Sequence, residues 1–299
     1  MNNHNLLLHT GLKQKAVPTR ETSALDTIHW GAEVYNLNKS SLYNSLSVDR
    51  QNQILKSLNQ NTLVELLRIE RIGTDLSRCM SENATDDNEH LIYAMISGEE
   101  VNHYMSLASF ANPEAIKSDA NRLVDLIGQI MYSKNRTAIT FTLQVVLEGF
   151  SLNHLRRLKQ FCRSEDLQAA LNMIIQDEAR HHGTGLITFK DQQDSHTPWD
   201  LTDVKTITPL KGFLNMFQVG PVRIVKTVEK YSEGLTDAQR IQLFQELDSE
   251  IMVQDYLDDF KKIMISAKAS SLVDRLETDG YFKTYSFQNM HHISKELQA

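Results

Sequence analysis

Apolar residues recur at alternating three- and four-residue intervals along most of the chain, the pattern of helices that bury one face. From about Asp87 to Ala111 the stripe runs Tyr93, Ile96, Glu100, His103, Leu107 and Phe110. From about Glu165 to Phe189 it runs Leu171, Ile174, Glu178, His181 and Gly185. Each of these helices follows another: one from an N-cap at Ser47 to about Met80, and one from about Asn135 to Phe161. Polar stretches, Ser81 to Asp87 and Cys162 to Glu165, break the pairs. A connecting helix from about Ala115 to Tyr132 is predicted between them, with Pro113 soon after the end of the helix before it. Residues 1 to about 25 are polar with few core formers, whereas Leu25 to Leu46 holds Trp30, Tyr35 and Tyr43 and predicts a short helix packed on the rest. Gln192-Gln193-Asp194-Ser195 reads as a linker. Beyond it, Pro221 near a helix start, Thr236 as a cap and the stripe Ile241, Phe244, Leu247 and Ile251 mark two amphipathic helices. They serve either as packing or dimerisation helices or as a wall of a substrate channel. The expectation is an all-α chain: an N-terminal arm (1–46), a four-helix bundle (47–190), and a helical C-terminal extension (196–299) packing on the bundle.

Both stripes contain charge where apolar side chains belong. An ionised carboxylate or a histidine inside an apolar face is costly unless it is paired or bound to metal. The two positions share one motif, Glu99-Glu100-Val101-Asn102-His103 and Asp177-Glu178-Ala179-Arg180-His181, and each has a glutamate 30 residues upstream, Glu70 and Glu148. Glu-x-x-His sets an oxygen and an imidazole nitrogen on one helix face, one turn apart. The midpoints of Glu70/Glu100 and Glu148/Glu178 fall at residues 85 and 163, inside the polar breaks. At a rise of about 1.5 Å per residue, all four glutamates then stand roughly 20 Å from their turns, at one level. Two Glu-x-x-His pairs and two further glutamates form the ligand set of a carboxylate-bridged dimetal site in a bundle core.

Candidate metal ligands are therefore Glu70, Glu100, His103, Glu148, Glu178 and His181, with Glu100 and Glu178 bridging. Glu99 and Asp177, one residue before each bridge, are placed to hydrogen-bond the histidines, and Arg180 to pair with such a carboxylate. Glu65 rivals Glu70, since it shares a face with Leu58, Ile69, Ile72 and Leu76; Ile69-Glu70-Arg71-Ile72-Gly73 parallels Leu147-Glu148-Gly149-Phe150-Ser151 and favours Glu70. His182 is a possible third nitrogen ligand, while His154 points elsewhere. Tyr93, Phe110, Phe141 and Gln144 either line a cavity or pack in the core. Hard glutamates and neutral imidazoles suit iron or manganese better than zinc or copper, so the cofactor expectation is two Fe ions or a Mn/Fe pair.

Composition narrows the function classes. At 299 residues the chain can bury a substantial core, and 41% hydrophobic residues with five prolines suit a helical protein. A net charge of −7 without a basic stripe argues against nucleic acid. No apolar run approaches a membrane span, and the first residues lack signal-peptide character, so a cytoplasmic protein with reduced Cys79 and Cys162 is expected.

The paired [DE]-E-x-x-H motif resembles the ferritin-like di-iron carboxylate superfamily over about residues 47–190. The segment Leu42-Tyr43-Asn44-Ser45-Leu46-Ser47, followed by the glutamate and Glu-Glu-x-x-His, is weakly similar to p-aminobenzoate N-oxygenase-like di-iron oxygenases. Where that group carries a further histidine, this chain has Ile174. It also lacks the four-cysteine tail of rubrerythrin, and Leu107 stands where ribonucleotide reductase small subunits carry a radical tyrosine. The acyl-carrier desaturases resemble it in size and in both motifs. The resemblance implies a ferritin-like four-helix bundle and an O2-dependent oxidoreductase that hydroxylates, desaturates or N-oxygenates a small organic substrate. Electrons would come from an external donor, since no flavin, NAD or cysteine-cluster motif is present. An iron-handling ferroxidase or peroxide scavenger is the alternative, and a homodimer is possible.

Overall fold

The computed structural model describes residues 27–112, 122–132, 135–194, 200 and 204–296. Most of the N-terminal arm, the start of the connecting helix with Pro113, and Ser195 of the expected linker lie outside the described residues.

Among the described residues the fold is all-helical, with one isolated antiparallel bridge between Trp30 and Cys162. After single helical turns at Ala32–Tyr35 and Leu37–Lys39 come α1 (Ser41–Ser45), α2 (Val48–Glu82) and α3 (Asp87–Ala108). Then follow α4 (Arg122–Tyr132), α5 (Arg136–Ile139), a π-helical segment (Thr140–Leu147), α6 (Glu148–Gln160) and α7 (Glu165–Gln193). The C-terminal part holds α8 (Val204–Gln218), α9 (Gly220–Tyr231), α10 (Asp237–Glu246), α11 (Ser249–Ser266), α12 (Ser270–Thr278) and α13 (Phe287–Glu296).

The long helices start where side-chain oxygens satisfy free backbone N–H groups. Ser47 caps α2, Asp86 caps α3 through Glu89 N at 3.0 Å, Asn135 caps α5 through Ala138 N at 2.9 Å, and Ser164 caps α7. At 35 residues, α2 spans about 50 Å. It packs along α3 as one hairpin, and α6 with the π-helical segment packs along α7 as a second. The hairpins meet where α3 lies on α7. The contacts His103–Asp177, Glu99–His181 and Tyr93–Thr188 run in opposite directions along the chain, so α3 and α7 are antiparallel.

Several expectations are corrected. Helix α3 ends at Ala108 with Ser109 as its cap, so Phe110 leaves the stripe and meets the His29 ring edge-on. Residues Gln192 and Gln193 continue α7, because Lys and Gln are good helix formers and nothing before Asp194 stops the turn. Ile251 is exposed. The helix breaks at Asp248, which takes a left-handed conformation (φ 48), so α11 begins with a new phase and Ile251 faces outward.

The N-terminal segment and the C-terminal helices share one hydrophobic core with the hairpins. Trp30 is fully buried; its indole N–H donates to Leu158 O at 2.8 Å. Asn59 accepts from Trp30 N at 2.8 Å and donates to Trp30 O at 2.9 Å, pairing with the edge of the extended segment opposite the Cys162 bridge. On the other side, α9 lies on α2, and α11 lies on the π-helical segment and α6, where Phe150 and Phe260 stack 4.3 Å apart at 4°. Asn36 and Lys39 reach Leu247 O and Asp248, closing the C-terminal helices onto the arm.

Asn59→Ala leaves the buried backbone groups of Trp30 unsatisfied, and a loss of about 1–3 kcal/mol in urea unfolding is expected. An unchanged midpoint would show that the arm is not held through this residue.

Candidate metal centre

Glu70 comes from α2, Glu100 and His103 from α3, Glu148 from the first turn of α6, and Glu178 and His181 from α7. The stripes that contain them are buried: Glu70 is 2% exposed, Glu100 3%, Glu178 5%, and both histidines 0%. Glu148 is partly buried, but its Oε2 is enclosed with no hydrogen-bond partner.

His103 Nδ1 lies 3.1 Å from Glu70 Oε2, 3.5 Å from Glu178 Oε1 and 3.8 Å from Glu100 Oε2. His181 Nδ1 lies 3.1 Å from Glu100 Oε1 and 3.6 Å from Glu178 Oε1. Glu100 and Glu178 are thus each within reach of both imidazoles, whose centroids are 5.9 Å apart. One ligand atom each from Glu70, Glu100, His103 and Glu178 falls within 4.8 Å of the others, close enough to hold a metal ion. Glu148 and His181 are outside that tightest group and lie on its α6/α7 side. His181 Nδ1 points into the cluster, 3.1 Å from Glu100 Oε1. An enclosed carboxylate oxygen without a hydrogen-bond partner, on Glu148, and two imidazole nitrogens set among glutamate oxygens suit a cation.

The outer nitrogens are satisfied. His103 Nε2 meets Asp177 Oδ2 at 3.0 Å, and His181 Nε2 meets Glu99 Oε2 at 2.9 Å. Each contact makes Nε2 the natural donor and turns Nδ1 inward toward the glutamates. Arg180 donates to Asp177 at 2.7 Å and to Glu99 at 2.5 Å.

Burial and neighbouring charge push several of these groups toward their protonated forms. Burial lifts Glu70 well above the usual carboxylate range, with the charges of Glu100 and Glu178 adding to it. Burial likewise lifts Glu148, reinforced by Glu178. For Glu100, burial works upward but is outweighed by hydrogen bonds from both histidines, and its pKa sits at about 2. Burial opposes the charge on His181, yet hydrogen bonds to Glu100 and Glu178 outweigh it and raise the pKa to about 11; His103 is raised by the same balance.

The other candidates go elsewhere. Glu65 faces outward and pairs with Arg223 of α9. His182 Nδ1 lies 3.3 Å from Gln144 O, against Gly149, away from the cluster. His154 stacks on Phe150 and borders a surface cavity of about 250 Å³ with Tyr256 and Arg157. Phe141 packs on Phe189.

One feature of the site is not foreseen from the sequence; at a second, the small residue one turn after Glu70, the space left open is filled by a protein side chain and not by oxygen or substrate. The π-helical segment directly precedes Glu148, and such a segment adds a residue to a turn and so rotates the downstream helix by about 100°. Its signal is a run buried from Thr140 to Val146 on every face and rich in β-branched residues. The one long polar side chain in that run, Gln144, accepts from Tyr93 Oη at 2.8 Å and donates to His181 O at 3.2 Å. The second is Gly73, where a Cβ would sit 2.5 Å from the Glu100 carboxylate. The glycine is the space that carboxylate occupies.

No family model matches the chain, and neither a curated protein nor a solved structure matches it.

This geometry generates two expected outcomes. Gly73→Ala raises intrinsic helix propensity by about 1 kcal/mol but pushes Glu100 aside, so divalent-metal affinity should fall about tenfold or more with stability kept; equal affinity would show that Glu100 tolerates the methyl group. Because His181 is raised to about 11, it carries a proton at pH 7 that a metal must displace, and Glu70 is shifted in the same direction. Binding of Mn(II) in weak buffer should release protons, and its affinity should rise from pH 6 to pH 8; a pH-independent affinity would contradict that protonation state.

Proposed function

We propose that the chain is a ferritin-like four-helix bundle holding two iron ions, and that it is an O2-dependent oxidoreductase acting on a small organic substrate. The observation that carries the reading is that Glu100 and Glu178 each lie between two inward-turned imidazoles. Shared carboxylates with one histidine on either side are what a carboxylate-bridged pair requires. Glu70 then completes the position of His103, and Glu148 that of His181. Two ferrous ions held by these residues would supply electrons to O2, and with them the oxidising power for hydroxylation, desaturation or N-oxygenation.

The chain's own contribution is placement and exclusion. Asp177 and Glu99 fix the ring planes of His103 and His181. Ile96 and Ile174 lie one turn before Glu100 and Glu178 on the same stripes, and Tyr93 and Leu171 a turn further back. All are at or below 2% exposure, which favours exclusion of water from that side. Tyr93 and Gln144 tie the π-helical segment to the backbone of His181, which steadies the entry to Glu148. A hard-oxygen, imidazole donor set favours iron or manganese, so a Mn/Fe pair fits the same residues. The electron donor is external. Among the described residues no helix is long and apolar enough to cross a membrane.

Anaerobic loading with Fe(II), followed by admission of O2 with and without a chemical reductant, tests the reading. Two irons per chain, and O2 uptake that continues only while reductant lasts, are expected. Oxidation that consumes many irons per chain without reductant would point to iron handling instead, and no stoichiometric iron would remove the metal assignment.

A further inference from the structure

The hydrogen bonds around the cluster cross between its two halves. His103 of α3 is held by Asp177 of α7, and His181 of α7 is held by Glu99 of α3. Both acids are then held by one side chain: Arg180 Nη1 donates to Asp177 Oδ1 at 2.7 Å and Nη2 to Glu99 Oε1 at 2.5 Å. The motif on α3 has no counterpart, since Asn102 occupies the position matching Arg180. The clasp is therefore single and asymmetric in origin, yet its two arms end on different histidines.

We propose that Arg180 is a positioning residue that couples the two histidine ligands, one guanidinium setting the affinity of both ion positions. The proposal rests on the dimetal reading of the cluster. A guanidinium is planar, and its two terminal nitrogens keep a fixed separation and direction. A carboxylate held by one arm is thereby placed relative to the carboxylate held by the other, and each carboxylate sets the plane of its own imidazole. A lysine ammonium is a single point on a flexible stem and can serve one acid but cannot fix the pair.

The side chain of Arg180 is 51% exposed, so its loss opens no core cavity. Exposed ion pairs contribute little to folding. An effect of Arg180 should therefore be read in metal binding and not in stability, which separates this role from a merely structural one.

The test is titration with Co(II), followed by its visible ligand-field bands and by calorimetry, on the wild type, Arg180→Ala, Arg180→Lys and Glu99→Ala. The wild type should take up two Co(II) per chain. Arg180→Ala should weaken both steps by about 10–100-fold with an unchanged unfolding midpoint. Glu99→Ala, which frees only His181, should weaken one step, and Arg180→Lys should behave likewise because it retains one arm. The proposal is overturned if Arg180→Ala leaves both affinities within twofold, weakens one step alone, or acts only by lowering the midpoint, or if Arg180→Lys restores both steps. A wild type that binds fewer than two Co(II) per chain would remove the dimetal reading, and this proposal with it.

Discussion

Buried negative charge is the constraint on which the rest of the structure depends. Four glutamates from four helical segments converge with only two imidazoles among them. Leaving such groups ionised and unpaired in a low-dielectric interior costs several kcal/mol each. Proton uptake offsets part of that cost, the direction in which Glu70, Glu148, His103 and His181 are all shifted. Protons are a poor solution geometrically. They leave Glu148 Oε2 enclosed without a partner, which a cation held in the cluster would supply. The core is stable enough to enclose this cluster because the arm and the C-terminal helices join it to a far larger apolar core.

Other features of the region can be read as consequences of bringing the carboxylates together. Gly73 is bare so that Glu100 can stand beside α2. The histidines face inward because an acid from the opposite helix holds each outer nitrogen, and the antiparallel crossing of α3 and α7 makes that exchange possible. The π-helical segment sets the angle at which Glu148 enters. The Gln144 bridge to Tyr93 and to His181 O ties that segment to α3 and α7.

Much of this was legible in the sequence because the governing rules are local. Glu100, His103, Glu178 and His181 sit on apolar stripes of helical period, and the turns fall at the midpoints that level the glutamates. Choosing Glu70 over Glu65 required the parallel with Glu148, since both residues share a partly apolar helix; the structure brings Glu70 to the cluster and gives Glu65 to Arg223. What was not legible depends on relations between distant segments. That Asp177 serves His103, and Glu99 serves His181, depends on the α3–α7 register, which no local pattern encodes. Ile251 misled because a helical period was carried across Asp248, where the backbone turns left-handed. The π-helical segment was hidden because a run buried on all faces carries no phase. The substrate is equally silent, since it is chosen by cavity shape and not by the ligands.

The central claim is that this cluster is a two-ion site bridged by Glu100 and Glu178. Anomalous diffraction from crystals of Mn(II)- or Fe(II)-loaded protein tests it most directly. Two peaks about 3.5–4 Å apart, one beside His103 and Glu70 and the other beside His181 and Glu148, are predicted. A single peak, or none between the two histidines, would contradict it.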